Sequence, residues 1–195
     1  MPNWIQTHIK VNGKKEKVQE IFDTVQSIGQ DGKKYFDLNK IFPMPKEIKD
    51  TENKVLKINK TLVKKYGAND WYEWSVKNWG TKWNTDHSYF DEEENIISFQ
   101  TAWSFPSPIL EYLAKFEDVA FQIAYADEDR GNNIDVILIN NGLITRFDIE
   151  KKVNVKKRKE LAQMIWNYEL DETIEDATTY LQEKKRKRIK KYISD

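Results

Sequence analysis

Apolar and polar residues alternate through Ile5-Gln6-Thr7-His8-Ile9-Lys10-Val11, the period of a half-buried strand, and Asn12-Gly13 closes the run. Val18, Ile21, Phe22, Val25 and Ile28 then recur at helical spacing, with Gly29 where a C-terminal glycine cap would sit. Ile41-Phe42-Pro43-Met44-Pro45 must be extended, because each proline restricts itself and its predecessor. Lys46 to Lys65 is polar with a weak helical pattern and reads as a surface insertion. Beyond a tryptophan-dense stretch, His87–Asp91 and Ile96–Trp103 read as strands joined by a turn at Glu92–Asn95. Ser107-Pro108 opens a helix with Ile109, Leu110, Leu113 and Phe116 on its buried stripe. Val119, Phe121, Ile123 and Tyr125 alternate as a further strand. Ile134–Ile139 and Leu143–Ile149 then flank Asn141-Gly142, the preferred pair for a tight hairpin turn. The remainder is helical. Leu161, Met164, Ile165 and Tyr168 form one apolar face, and Leu170, Ile174, Ala177, Leu181 and Ile189 another, with Thr173 and Asp176 spaced as a capping box.

The order strand, helix, insertion, strand, strand, helix, strand is that of a split β-α-β sheet. The expected class is α+β: a ferredoxin-like sheet with a long insertion after the first helix, an added β-hairpin and C-terminal helices. Residues 1–152 are expected to form the ferredoxin-like domain with its insertion and hairpin. Residues 153–195 are expected as a helical, basic C-terminal extension.

Charge changes this picture more than composition does. The 195 residues carry 32 Lys and Arg against 32 Asp and Glu, yet the charges are segregated. Residues 85–135 hold twelve carboxylates and two cations, a net −10, while residues 1–84 carry +6 and residues 151–195 carry +5. Such a field selects partners. With 0 Cys, disulfides, thiolate nucleophiles and cysteine metal sites are excluded. No apolar run approaches the ~20 residues of a membrane span. Met1-Pro2-Asn3-Trp4 lacks the regions of a signal peptide, so a cytoplasmic protein is expected.

Four of the 7 Trp lie between Trp71 and Trp83. The favoured reading is structural, with Trp79, Trp83 and Trp103 packed together to pin the insertion to the sheet, helped by Trp4 and a tight turn at Gly80. The competing reading is a platform for stacking bases. Asp127, Glu128 and Asp129, with Asp135, could hold Mg²⁺, but three consecutive acids in a turn ordinarily face water, and no metal is expected. His8 and His87 are the only histidines, and neither has a partner at catalytic spacing. Gly13-Lys14-Lys15 lacks the pattern of a phosphate loop. Lys184-Lys185-Arg186-Lys187-Arg188 would contact phosphates readily, or would complement a helix C-terminus.

Met1-Pro2-Asn3-Trp4, Phe42-Pro43-Met44-Pro45, Trp74-Ser75-Val76-Lys77-Asn78-Trp79-Gly80-Thr81-Lys82-Trp83-Asn84 and Thr101-Ala102-Trp103-Ser104-Phe105-Pro106-Ser107-Pro108 occur in this order. Together they resemble the YubB-like ferredoxin-like family of plasmid and phage accessory proteins, over residues 1 to about 131. The resemblance implies a ferredoxin-like fold and a phage, plasmid or prophage origin in a bacterial host cell. It implies no chemistry.

The expected function is that of a non-catalytic accessory protein, without cofactor or metal. It would bind a host protein with a basic groove, as an anti-restriction or anti-CRISPR inhibitor, through an acidic face of Asp91, Glu92, Glu93, Glu94, Asp127, Glu128 and Asp129. The alternative is a DNA- or RNA-binding module using sheet aromatics and the basic tail at Lys184, Lys185, Arg186, Lys187 and Arg188. A metal-dependent hydrolase is the third class.

Overall fold

The computed structural model describes residues 2–52, 58–129 and 131–193, with side chains of the last helix described through Arg186. Strand β1 (Trp4–Gly13) runs between β5 (Ile96–Ala102) and β6 (Val119–Asp127) and is antiparallel to both. Strand β4 (Asp86–Asp91) lies outside β5, and the hairpin β7 (Asp135–Asn140) and β8 (Leu143–Arg146) extends the other edge. The six-stranded order β4-β5-β1-β6-β7-β8 contains the ferredoxin-like arrangement in β4, β5, β1 and β6. The Asn141-Gly142 turn has φ of 47° and 74°, the pair of positive values that a two-residue hairpin turn of right-handed twist requires.

Alternation along β1 divides the molecule into layers. Ile5, Ile9 and Val11 face the main core, which α1 (Lys15–Val25) covers with Val18, Ile21, Phe22 and Val25, and α6 (Ile109–Leu113) with Ile109, Leu110 and Leu113. The insertion joins the same core: β2 (Gln26–Ile28), β3 (Lys34–Phe36), α2 (Leu38–Ile41), α3 (Lys46–Lys49), α4 (Lys60–Tyr66) and α5 (Trp71–Asn78) bring in Phe36, Leu38, Ile48, Trp74 and Trp79. Insertion and sheet therefore share one hydrophobic interior.

The opposite face of the sheet is covered by α8 (Val155–Trp166) and α9 (Leu170–Ile193), reached through α7 (Ile149–Lys152). Leu161, Ala162 and Ile165 pack on Ala124, Ala126 and Val136 of β6 and β7. Residues 153–193, expected as part of an extension, thus supply the second helical layer over the sheet.

Three local expectations are corrected. The helical pattern through Ile28 stops at Val25, because Gln26–Ile28 pairs with Lys34–Phe36 as a small hairpin and Ile28 is left exposed. Ser107 does not cap α6, whose first turn follows Pro108 without a side-chain cap. Thr173 is not an N-cap: α9 starts at Leu170, and the Thr173 hydroxyl donates back to the Glu169 carbonyl.

Candidate binding surfaces

The tryptophan motif is built around Gly80. Helix α5 is capped at its start by Asp70, whose carboxylate accepts from Glu73 N–H at 2.9 Å, and at its end by Trp79. Gly80 then takes φ +78°, and a Cβ there would stand 2.8 Å from Pro108 Cδ and 3.4 Å from Pro106 Cα. Both the conformation and the close approach require glycine. The Thr81 hydroxyl donates to the Ala102 carbonyl at 2.8 Å and the Ser104 hydroxyl to the Gly80 carbonyl at 2.6 Å. The two motifs, 74–84 and 101–108, are therefore two halves of one junction.

The tryptophans divide within it. Trp79 is 7% exposed, meets Trp74 edge to face and donates its indole N–H to the Phe42 carbonyl at 2.9 Å. Trp83 and Trp103 are 38% and 44% exposed and stack on each other, with ring centroids 6.0 Å apart. The expectation of one buried cluster of Trp79, Trp83 and Trp103 is corrected: only Trp79 lies in the core. Trp4 is half-buried and exchanges two hydrogen bonds with Glu128, through its own N–H and carbonyl. The Lys82 ammonium lies 4.4 Å from the Trp83 ring centre and 4.8 Å from that of Trp103, a cation–aromatic cluster at the surface.

Beside this pair opens a pocket of about 250 Å³ lined by Trp71, Trp79, Trp83, Lys82 and, from the insertion, Tyr35, Asp37, Asn39, Met44, Lys49 and Glu52, with Asn84. Asp37 is buried and organises the floor. Its carboxylate accepts from Asn39 N–H, Asn84 Nδ2 and the Ser27 hydroxyl, at 2.9, 2.7 and 2.6 Å. Asn84 Oδ1 in turn accepts from Leu38 N–H at 2.9 Å. Residues 35–52 carry no pocket signature in the sequence. The only local sign is Asp37 before Leu38, a helix cap, and its pairing with Asn84 is long-range.

The acidic residues do not form one face. Asp91 pairs across the hairpin with Ile96, which pairs with Lys10, whereas Asp127 pairs with Ile5. Five residues of β1 separate the two levels, about 17 Å at a strand's rise. Glu92, Glu93 and Glu94 are exposed at the β4–β5 tip, where Asp91 accepts from Glu93 N–H and Glu94 N–H at 3.1 and 3.0 Å. Glu117 and Asp118, just before β6, are exposed at the same end. At the other end Asp127 is 2% exposed; burial raises its carboxyl above the ordinary value, and Oδ1 has no partner among the described residues. Asp135 is likewise buried, accepting from Val136 N–H and Ile149 N–H. The continuous acidic face is corrected to an acidic end, because strand pairing sends the two groups apart. Among the described residues no three His, Asp or Glu gather where they could hold a metal ion.

Of the basic tail, Lys184, Lys185 and Arg186 are exposed, and Lys184 donates to the Lys152 carbonyl at 3.1 Å. The side chains of Lys187 and Arg188 lie outside the described residues. Of the sheet aromatics, Phe99 and Phe121 are in the main core and Tyr125 stacks on Phe105, whereas Tyr89 on the edge strand β4 is exposed. His8, on the polar face of β1, is buried beneath α8. Its Nε2 donates to the Ile165 carbonyl at 2.8 Å, so Nδ1 accepts from the Ser98 hydroxyl at 2.7 Å. Burial pushes its pKa down to about 4.

These features define an α+β protein of the ferredoxin-like class, with helices on both faces of its sheet and a tryptophan pocket at one end. The chain belongs to the family described as the ferredoxin-like domain in Api92-like protein, whose model matches residues 78–179, just over half of the chain. The match contains Gly80, Trp83 and Trp103 and runs through the expected 152/153 boundary into α9. No curated protein and no solved structure matches the chain. Among the described residues no helix is long and apolar enough to cross a membrane.

Proposed function

We propose that the chain is a non-catalytic accessory protein of a phage, plasmid or prophage, and that it acts in the bacterial cytoplasm by binding a host protein. The concrete form is an anti-defence inhibitor that occupies the basic groove of a restriction or CRISPR effector. The mobile-element origin rests on the YubB-like motifs. The observation that carries the binding mode is the acidic end of the sheet.

There Asp91, Glu92, Glu93 and Glu94 crown the β4–β5 hairpin, and Glu117 and Asp118 stand two strands away, about 10 Å across the sheet. Lys34 pairs with Glu92 at 2.7 Å, and Lys17 lies close enough to Glu117 and Asp118 to feel their charge. Lys14 and Lys15 follow β1 at the same end, Lys15 lining one cleft with Glu92 and Glu93, so the six carboxylates outnumber the nearby cations without standing free of them. Association steered this way is fast and weakens steeply with salt.

The test is capture from host lysate by the wild-type chain and by a variant with Asp91→Asn, Glu92→Gln, Glu93→Gln and Glu94→Gln. The Asp91→Asn change keeps a side-chain oxygen as the acceptor that shapes the turn. Capture of a defence protein that is lost in the neutral variant, and lost in high salt, supports the reading. Equal capture by both proteins removes the acidic end from the mechanism.

A further inference from the structure

We propose that the tryptophan pocket is a binding site for a nucleobase carried on phosphate, supplied either as a free nucleotide or by a single strand of nucleic acid. This goes beyond the host-protein reading and uses the other end of the sheet.

The first observation is conformational. Trp103 has φ +67°, the left-handed region that a bulky aromatic side chain rarely enters and where glycine or asparagine costs less. It is held there by Trp103 N–H donating to the Asn3 carbonyl at 2.7 Å and by Ser104 N–H to the Ala102 carbonyl at 2.9 Å. That strained conformation leaves a partly exposed indole stacked on Trp83. Trp103 lies outside the pocket lining, so the strain points to a role in backing Trp83, which does line it.

The second observation is the chemistry of the pocket walls. Trp71, Trp79 and Trp83 supply aromatic surface, and Lys49 and Lys82 supply two cations against one exposed acid, Glu52. The buried Asp37 carboxylate is fully engaged by its neighbours and offers nothing to a ligand. The free capacity is mostly donors. Asn39 spends its carbonyl on Met44 N–H, which leaves its amide hydrogens, and Asn84 uses one amide hydrogen on Asp37, which leaves the other. A planar ring with carbonyl acceptors, attached to an anion, complements such a site in shape, hydrogen bonding and charge. Keto bases with a phosphate meet that description. A cationic or arginine-bearing partner would meet Lys82 already seated over both indoles. Of the other acids at that end, Asp86 pairs with Gln100 from β4 and lines a different cleft with Thr85 and His87, and Glu128 and Asp129 follow β6 on the far side of β1 from Trp103.

The experiment titrates the full chain with thymidine monophosphate and, separately, with a single-stranded oligothymidylate, read by tryptophan fluorescence and by anisotropy of a labelled strand. Three variants accompany it: Trp83→Ala, Lys82→Gln and Trp103→Gly, the last relieving the backbone strain. Saturable quenching is expected. It should be weakened about tenfold or more by Trp83→Ala, the loss of one stacked base, by a smaller factor by Trp103→Gly, which removes only the ring behind Trp83, and more for the strand than for the nucleotide by Lys82→Gln. Binding of the nucleotide alone identifies a nucleotide site, and much tighter binding of the strand identifies a single-strand site. The proposal is overturned if neither probe binds, which would leave the surface to a protein contact. It is equally overturned if both bind with affinity unchanged in a folded Trp83→Ala protein.

Discussion

At the scale of single residues, the tryptophan motif separates positions the fold needs from positions it tolerates. Trp79 fills the interface between insertion and sheet with its N–H satisfied, so Trp79→Ala should cost ~3–5 kcal/mol, as large-to-small core changes do. Trp103→Gly loses a stacking contact of ~0.5–1.5 kcal/mol and the burial of about half an indole, ~1–2 kcal/mol, against relief of ~1–2 kcal/mol of left-handed strain, so it should cost ~1–2 kcal/mol, less than Trp79→Ala. Urea denaturation of the two variants would show the contrast, and a severe loss in Trp103→Gly would make that indole structural after all. His8 is the other informative residue. Its folded pKa of about 4 lies below the ordinary 6.5, so between those values the unfolded chain holds a proton that the folded chain refuses. Its stabilisation is complete above pH 6.5 and declines as pH falls toward 4, by at most ~3 kcal/mol. The raised carboxyls of Asp127 and Asp135 work in the opposite direction. The comparison is therefore wild type against His8→Gln across pH 7 to 4.5, where the carboxyl contribution is common to both. A flatter acid limb in the variant is expected, and parallel curves would exclude His8 as the titrating group.

At the scale of elements, α8 and α9 are the decisive addition. The polar face of β1 would suit water, but Gln6, His8 and Lys10 turn toward these helices and are engaged by Gln100, Ile165 and Asp171. Beside them Ala124, Ala126 and Val136 need an apolar cover. A chain cut before Asn154 should therefore lose its cooperative unfolding or become insoluble, because it would expose that strip together with unpaired buried polar groups. A chain cut before Lys184 should melt within a few degrees of the full chain, since Leu161, Ile165, Leu170 and Ala177 all remain. Circular dichroism melts of the two truncations test this, and a stable, soluble shorter form would show that the second layer is dispensable.

For the whole molecule, strand register decides what can act together. The β4–β5 tip and the tryptophan pair stand at opposite ends of β5, about 20 Å apart along six residues of strand. That exceeds the ~8 Å screening length at physiological salt. Neutralising Asp91, Glu92, Glu93 and Glu94 should therefore change oligothymidylate affinity less than about twofold at that salt. A larger change would mean that the two ends are coupled through the sheet.

The sequence by itself determined the elements whose signals are local. Alternation placed β1, β5 and β6, Asn141-Gly142 placed the second hairpin, and the order of elements specified the ferredoxin-like class. It also showed that Gly80 sits at a turn among tryptophans. Those signals survive because periodicity and positive φ depend on neighbours only. Tertiary structure decided everything that depends on residues far apart in the chain. Strand pairing carried Asp127 away from Asp91 and buried it. Pairing of Gln26–Ile28 with Lys34–Phe36 overrode a helical pattern, and packing of α8 turned the polar face of β1 inward. The pocket was invisible for the same reason: Asp37 and Asn84 lie 47 residues apart, and only the fold of the insertion against the tryptophan junction makes them one floor.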